Sequence, residues 1–184
     1  MAKIPIEIVR ALPSDLQGIR MLYHAYEERH PGFIANAFGL RAVPGGSSAI
    51  EKEMADVETA LNDEQHPFHF VAKRDGQIVG VLLTSHLPDL FEEIPRASFV
   101  EWANGSALWL RSVLVHPDHE SSGVYKALVN HAFEEGKRNG YAFAAGMVLG
   151  SNPKHELLTT RLGWTVIPKR DAFALIKELR EKKH

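Results

Sequence analysis

The sequence predicts an α/β fold in a single domain spanning residues 1–184, and three observations carry that expectation. Strand-like and helix-like segments alternate along the whole chain, with no interdomain linker, internal repeat or low-complexity tract. A paired-strand turn, Asp75-Gly76, stands between two apolar runs. A Val- and Leu-rich strand runs through a tight turn into a long amphipathic helix between Ala107 and Gly140. The bulk numbers agree. The 184 residues, 45% hydrophobic and 24% charged, suffice for one well-filled core and are few for two.

The elements follow in order. "IPIEIVRAL" is rich in Ile and Val and reads as a strand. "PSDLQGIRMLYHAYEERH" opens with Pro13 and a capping box of Ser14 and Gln17, and places Leu16, Ile19, Leu22, Tyr23 and Tyr26 on one helical face. Pro and Gly then break the pattern from Pro31 to Ser48, which predicts a long loop. "AIEKEMADVETALND" resumes a helix with Ile50, Met54, Val57 and Leu61 on one stripe. The hairpin around Asp75-Gly76 comes next, followed by an irregular acidic stretch from Pro88 to Ser106. "ALWLRSVLV" is apolar on both faces, as in a central strand. The helix after it has Ser121 or Ser122 as a possible cap and Gly140 as its stop. "YAFAAGMVLG" is a strand, "NPKHELLTTRLG" a short helix, and "WTVIP" and "DAFALIKEL" are two final strands.

Charge and composition exclude several functions. A net charge of −2 lacks the basic balance of a nucleic-acid binder. The absence of cysteine removes disulfides, thiol nucleophiles and cysteine metal sites, and suits a reducing, cytoplasmic setting. The first residues lack a long apolar core, which predicts no secretory leader, and no run is long enough to cross a bilayer. Among the ten histidines, His116 and His119 flank a Pro-Asp turn; capping or solvated roles fit them better than a metal, and no metal is expected.

The chemistry concentrates at the strand–turn–helix. The first amides of a helix lack intrahelical acceptors and point outward, and the helix dipole adds positive potential there. A pyrophosphate fits such a start, and Gly123 lets backbone approach it closely. The same segment also reads as an ordinary βα turn capped by its own serines.

From Ile6 to Leu179 the chain resembles the GNAT superfamily of acetyl-CoA-dependent N-acetyltransferases. "SVLVHPDHESSGVYKAL" is similar to that family's cofactor motif, a strand followed by V-x-P-x-x-R/Q-x-x-G-x-G/A and a helix, with Val115, Pro117, Gly123, Ala127 and Leu128 matching. "SNPKHELLTTRLGW" resembles the second signature, an Asn opening a helix that ends in Leu-Gly-aromatic. The resemblance implies a splayed, mixed, mostly antiparallel sheet flanked by helices, and acetyl transfer from acetyl-CoA to an amine. It implies pantetheine pairing with the backbone of Val113, Leu114 and Val115, and a pyrophosphate cradle drawn from Glu120, Ser121, Ser122, Gly123, Val124, Tyr125 and Lys126. It also implies that Asn152 faces the pantetheine.

The sequence departs from the family where function sits. Glu120 stands at the Arg or Gln position, and a carboxylate beside a pyrophosphate costs about 1 to 4 kcal/mol at ~4 Å. Tyr125 replaces the second small residue. Arg111 and Ser112 occupy positions that are often acidic, and Thr159 falls where a tyrosine general acid is common. Glu101 is a candidate general base and Thr159 a candidate partner for the leaving thiolate. The implied partners are a small-molecule or peptide amine acceptor and, through the final strands, a second copy of the chain; neither nucleic acid nor membrane is expected. The departures keep a second reading open, a GNAT-fold binding or assembly module with a degenerate cofactor site.

Overall fold

The computed structural model describes residues 5–34, 46–63, 68–85, 106–149, 160, 163–168 and 172–179. Seven strands form one mixed sheet: β1 (Glu7–Arg10), β2 (Phe70–Arg74), β3 (Gln77–Ser85), β4 (Ala107–Val115), β5 (Phe143–Leu149), β6 (Thr165–Pro168) and β7 (Ala172–Glu178). Their order across the sheet is β1-β2-β3-β4-β5-β7-β6. Among the described residues three helices accompany them, α1 (Leu16–Arg29), α2 (Gly46–Asn62) and α3 (Val124–Arg138), and the helix expected of "NPKHELLTTRLG" falls mostly outside those residues. Neighbours β1/β2, β2/β3, β5/β7 and β6/β7 are antiparallel, and β4/β5 is parallel. The mixed, mostly antiparallel α/β fold is therefore as the sequence predicts. By its internal contacts the chain divides into two compact units, residues 1–82 with 112–128 and residues 83–111 with 129–184.

In the first unit, α1 buries Ile19, Leu22 and Tyr23, and α2 buries Ile50, Met54 and Val57. These are residues of the two predicted stripes, and each fully buried aliphatic side chain contributes roughly 1.5 to 3 kcal/mol. Gly18 lets α1 lie close on β3, because a Cβ there would meet Ile78 Cδ1 at 2.7 Å. Arg20 and Glu51 tie α1 to α2 at the surface.

The capping box expected of Ser14 and Gln17 is not formed. The turn before α1 is a 3₁₀ turn, Pro13–Asp15, and the Leu12 amide donates to Asp15 Oδ2 at 3.0 Å. Asp15 Oδ1 also pairs with Lys73 Nζ on β2 at 2.7 Å. A buried carboxylate needs such partners. Ser14 is exposed.

The predicted hairpin forms as expected. Asp75 and Gly76 both take positive φ, 52° and 76°, which the tight turn between twisted strands requires. The register then slips, with Ala72 opposite Gly80 and Lys73 opposite Ile78, so Val79 bulges from β3.

In the second unit, the parallel register runs from Ala107↔Phe143 to Leu110↔Gly146, and β4 goes on to Val115. Gly136 sets α3 tightly on its neighbours, since a Cβ would meet Leu179 Cδ1 at 2.8 Å. Gly140 stops α3 at φ 81°, with the Tyr141 amide donating back to the Gly136 carbonyl. Trp164 packs edge-on against Phe133, their centroids 5.2 Å apart.

Candidate phosphate-binding turn

The bulge in β3 starts the site. It frees the Val79 carbonyl, which accepts the His116 amide at 2.9 Å just beyond the end of β4. The chain then makes a 3₁₀ turn, Pro117–His119. His116 Nδ1 caps it by accepting from the Asp118 amide at 3.3 Å, the capping role that composition favoured over a metal. Among the described residues no cluster of three potential metal ligands occurs, and no described helix is long and apolar enough to cross a membrane.

The turn closes on His119. Its carbonyl accepts from the Ser122 amide at 3.2 Å and from Ser122 Oγ at 2.6 Å. Ser122 therefore braces the turn instead of capping α3, contrary to one expectation from sequence. Ser121 and Gly123 both adopt left-handed backbone, φ 62° and 90°. A Cβ on Gly123 would meet nothing within 4 Å, so this side of the turn is open. The first α-helical bond of α3 runs from the Ala127 amide to the Gly123 carbonyl at 3.0 Å. Among the described residues no backbone carbonyl accepts from the amides of Ser121, Gly123, Val124, Tyr125 or Lys126. These donors stand at the positive end of the helix dipole.

Packing fixes where they stand. Val124 and Leu128 are 1% and 0% exposed, and both press on Gly80. An ideal Cβ at Gly80 would lie 2.7 Å from Val124 Cγ1, 3.0 Å from Leu128 Cδ1 and 3.2 Å from the Leu114 carbonyl. The start of α3 thus rests directly on β3 and β4. Leu114 is buried, while Val113 and Val115 are partly exposed.

The two departures from the family pattern resolve into contacts. Glu120 Oε1 lies 3.5 Å from His30 Nε2, with the two side chains 31% and 35% exposed. His30 follows α1 and packs against Tyr26 at 4.7 Å between ring centroids. Tyr26 also meets Phe33 edge-on at 5.0 Å. Burial first, and the Glu120 charge second, push the Tyr26 phenol up. Glu27 holds the segment after α1 by accepting from the Gly32 and Ile34 amides at 2.5 and 3.0 Å. The Tyr125 ring is largely packed away, and burial pushes its phenol up to about 12, so it is neutral near pH 7.

Two residues that no sequence motif marks also reach the turn. One is His30. The other is Arg74, at the end of β2, whose Nη1 lies 3.0 Å from His119 Nδ1. Burial, then the Arg74 and His116 charges, hold His119 below the usual histidine range. The neutral ring offers Nδ1 as an acceptor to the guanidinium. Lys126 is exposed on the first turn of α3. Asn152, Glu101 and Thr159 lie outside the described residues, as do most of the two long irregular segments.

Comparison with known proteins agrees with this fold. The fold matches YncA, a putative acetyltransferase from Salmonella typhimurium solved with acetyl-CoA, at 17% identity over 97% of this chain and 96% of that one, TM-score 0.66. It matches the PaiA N-acetyltransferase of Thermoplasma acidophilum, solved with coenzyme A, at 15% identity over 95% and 99%, TM-score 0.69. It also matches the ribosomal-protein-S18-alanine N-acetyltransferase of Escherichia coli at 18% identity over 94% and 91%, TM-score 0.58. No curated protein sequence matches significantly. The sequence profile of the acetyltransferase (GNAT) family matches residues 20–164, most of the chain and all of the strand, turn and helix just described, and the chain belongs to that family.

Proposed function

We propose that this chain, acting as one catalytic domain over residues 1–184, transfers an acetyl group from acetyl-CoA to the amine of a small-molecule or peptide acceptor. The observation that carries the reading is the run of acceptor-free amides at the start of α3, behind an open Gly123. Such donors bind a pyrophosphate without depending on side-chain identity. The residues present fit that group: Ser122 braces the turn from within, Tyr125 is neutral, and Glu120 has a histidine beside it.

In this reading the amides of Ser121, Gly123, Val124, Tyr125 and Lys126 hold the pyrophosphate, with Ser122 bracing the turn between them, and the backbone of Val113, Leu114 and Val115 pairs with the pantetheine. Asn152 faces the same arm. Bound acetyl-CoA supplies a thioester carbonyl open to attack by a neutral amine. Glu101 takes the proton that the amine sheds, directly or through a water. The Thr159 hydroxyl donates to the departing sulfur; it is too weak an acid to protonate it outright, so positioning supplies most of the acceleration. The Escherichia coli relative is named for an alanine of a ribosomal protein, and a peptide α-amine belongs in any acceptor screen.

A thermal-shift titration with acetyl-CoA tests binding. A ligand at a hundred times its Kd stabilises the native state by about 2.7 kcal/mol. Thiol release from acetyl-CoA, followed against a panel of amines and N-terminal peptides, tests transfer. Stabilisation without thiol release from any acceptor would favour the binding-module reading, and no stabilisation at all would remove the cofactor site.

A further inference from the structure

We propose that Arg74 is a phosphate-binding residue of this cofactor site, supplying from the β2–β3 hairpin a positive charge that Glu120, at the Arg-or-Gln position of the family's motif, does not. The proposal rests on the acetyl-CoA reading above. Its grounds are contacts within one unit of the chain. The Arg74 guanidinium is fixed to the turn through His119, at 3.0 Å. The His119 carbonyl in turn holds Ser122 by two hydrogen bonds, directly before the free amides begin. Arg74 is thus fastened to the same rigid loop that presents those amides.

The donor inventory points the same way. A guanidinium carries five N–H donors. Nη1 reaches His119, and Nε is buried without a partner in the structure. A buried donor left unmade costs about 1 to 3 kcal/mol, which an arriving phosphate oxygen or a bridging water recovers. No carboxylate pairs with Arg74 among the described contacts. Glu120 lies beside His30. Guanidinium is also the cation best matched to phosphate oxygens.

The test separates phosphate recognition from simple support of the turn. Affinities for acetyl-CoA and for acetyl-pantetheine, which has no phosphate, are measured by calorimetry on the wild type, Arg74→Met, Arg74→Lys and the double variant Arg74→Met/Glu120→Arg. Arg74→Met is expected to weaken acetyl-CoA about ten- to a hundredfold and to leave acetyl-pantetheine unchanged. Arg74→Lys should lose less, and Glu120→Arg in the Arg74→Met background should recover the loss by restoring a cation at the family's position. Equal affinity of Arg74→Met and wild type for acetyl-CoA overturns the proposal. So does a parallel loss of both ligands with no rescue by Glu120→Arg, since that marks a structural role. A wild type that binds neither ligand removes the cofactor reading itself, and is told apart because no variant is needed to see it.

Discussion

Gly80→Ala should loosen the phosphate-binding turn from behind. The added Cβ would lie 2.7 Å from Val124 Cγ1, 3.0 Å from Leu128 Cδ1 and 3.2 Å from the Leu114 carbonyl. Carbon pairs rest at about 3.5 to 4.0 Å, so the helix start must retreat by close to an ångström. None of the three neighbours yields easily. Val124 is β-branched on the first turn of α3, Leu128 is fully buried, and the carbonyl belongs to β4. Overpacking of this kind costs about 1 to 3 kcal/mol. In a chain of this length that lowers Tm by roughly 2 to 4 °C per kcal/mol. Because the shifted helix start carries the free amides, acetyl-CoA affinity should fall in the same variant. Thermal unfolding and calorimetry on Gly80→Ala, Val124→Ala and their double variant decide it. Val124→Ala leaves a hole and the double fills it, so the double should be more stable than the two losses summed. Additive losses, or a Gly80→Ala protein with unchanged Tm and affinity, would refute this account of how the turn is placed.

Three further outcomes follow from the same contacts. Asp15→Asn should cost about 1 to 3 kcal/mol in denaturant unfolding, because it strips Lys73 of its partner at 2.7 Å, whereas Ser14→Ala should cost almost nothing. Tyr125→Phe should remove part of the alkaline instability: the folded phenol is raised to about 12 from 10, so the unfolded chain gives up its proton first and stability falls as pH rises from 10 towards 12; unchanged unfolding curves across that window would contradict it. Glu120→Gln should tighten acetyl-CoA binding a few-fold, because it removes a screened carboxylate charge from beside the phosphate-binding turn; unchanged affinity by calorimetry would mean that this charge does not reach the ligand.

Much of the fold is legible in the sequence because the signals are local. The Asp75-Gly76 turn is one, since its two positive φ values demand that residue pair. The bounds of β4 and the stop at Gly140 are others, set by an apolar run between turn residues and by a left-handed glycine. The turn before α1 is not legible. Ser14 and Asp15 are both good capping types, and it is Asp15 that holds the turn, accepting from the Leu12 amide and pairing with Lys73, far away in the chain. The bulge at Val79, which supplies the carbonyl that begins the turn, has one local mark, the isolated Gly80 inside the strand, but a lone glycine does not say which carbonyl it frees. The site divides in the same way. The amides are readable from Pro117 and Gly123, because backbone geometry needs only those residues. The charges are not, because His30 and Arg74 reach the turn from other elements.

That division explains how a glutamate comes to stand where the family's pattern has a cation. The phosphate-holding part of the turn is backbone, and Glu120 does not alter it: the braces from His119 to Ser122 and the left-handed Ser121 and Gly123 are intact. What Glu120 changes is the local field. At 3.5 Å, attraction between its carboxylate and a protonated His30 is worth about 1 to 5 kcal/mol as the effective dielectric falls from that of water to that of a protein surface. Both side chains are about one-third exposed, so screening keeps the value near the lower bound. The repulsion expected between a carboxylate and a pyrophosphate is screened in the same way. His30 also stands at the head of the segment that follows α1, where Tyr26, Phe33 and Glu27 hold the chain. A carboxylate at position 120 thus joins the phosphate turn to the end of α1.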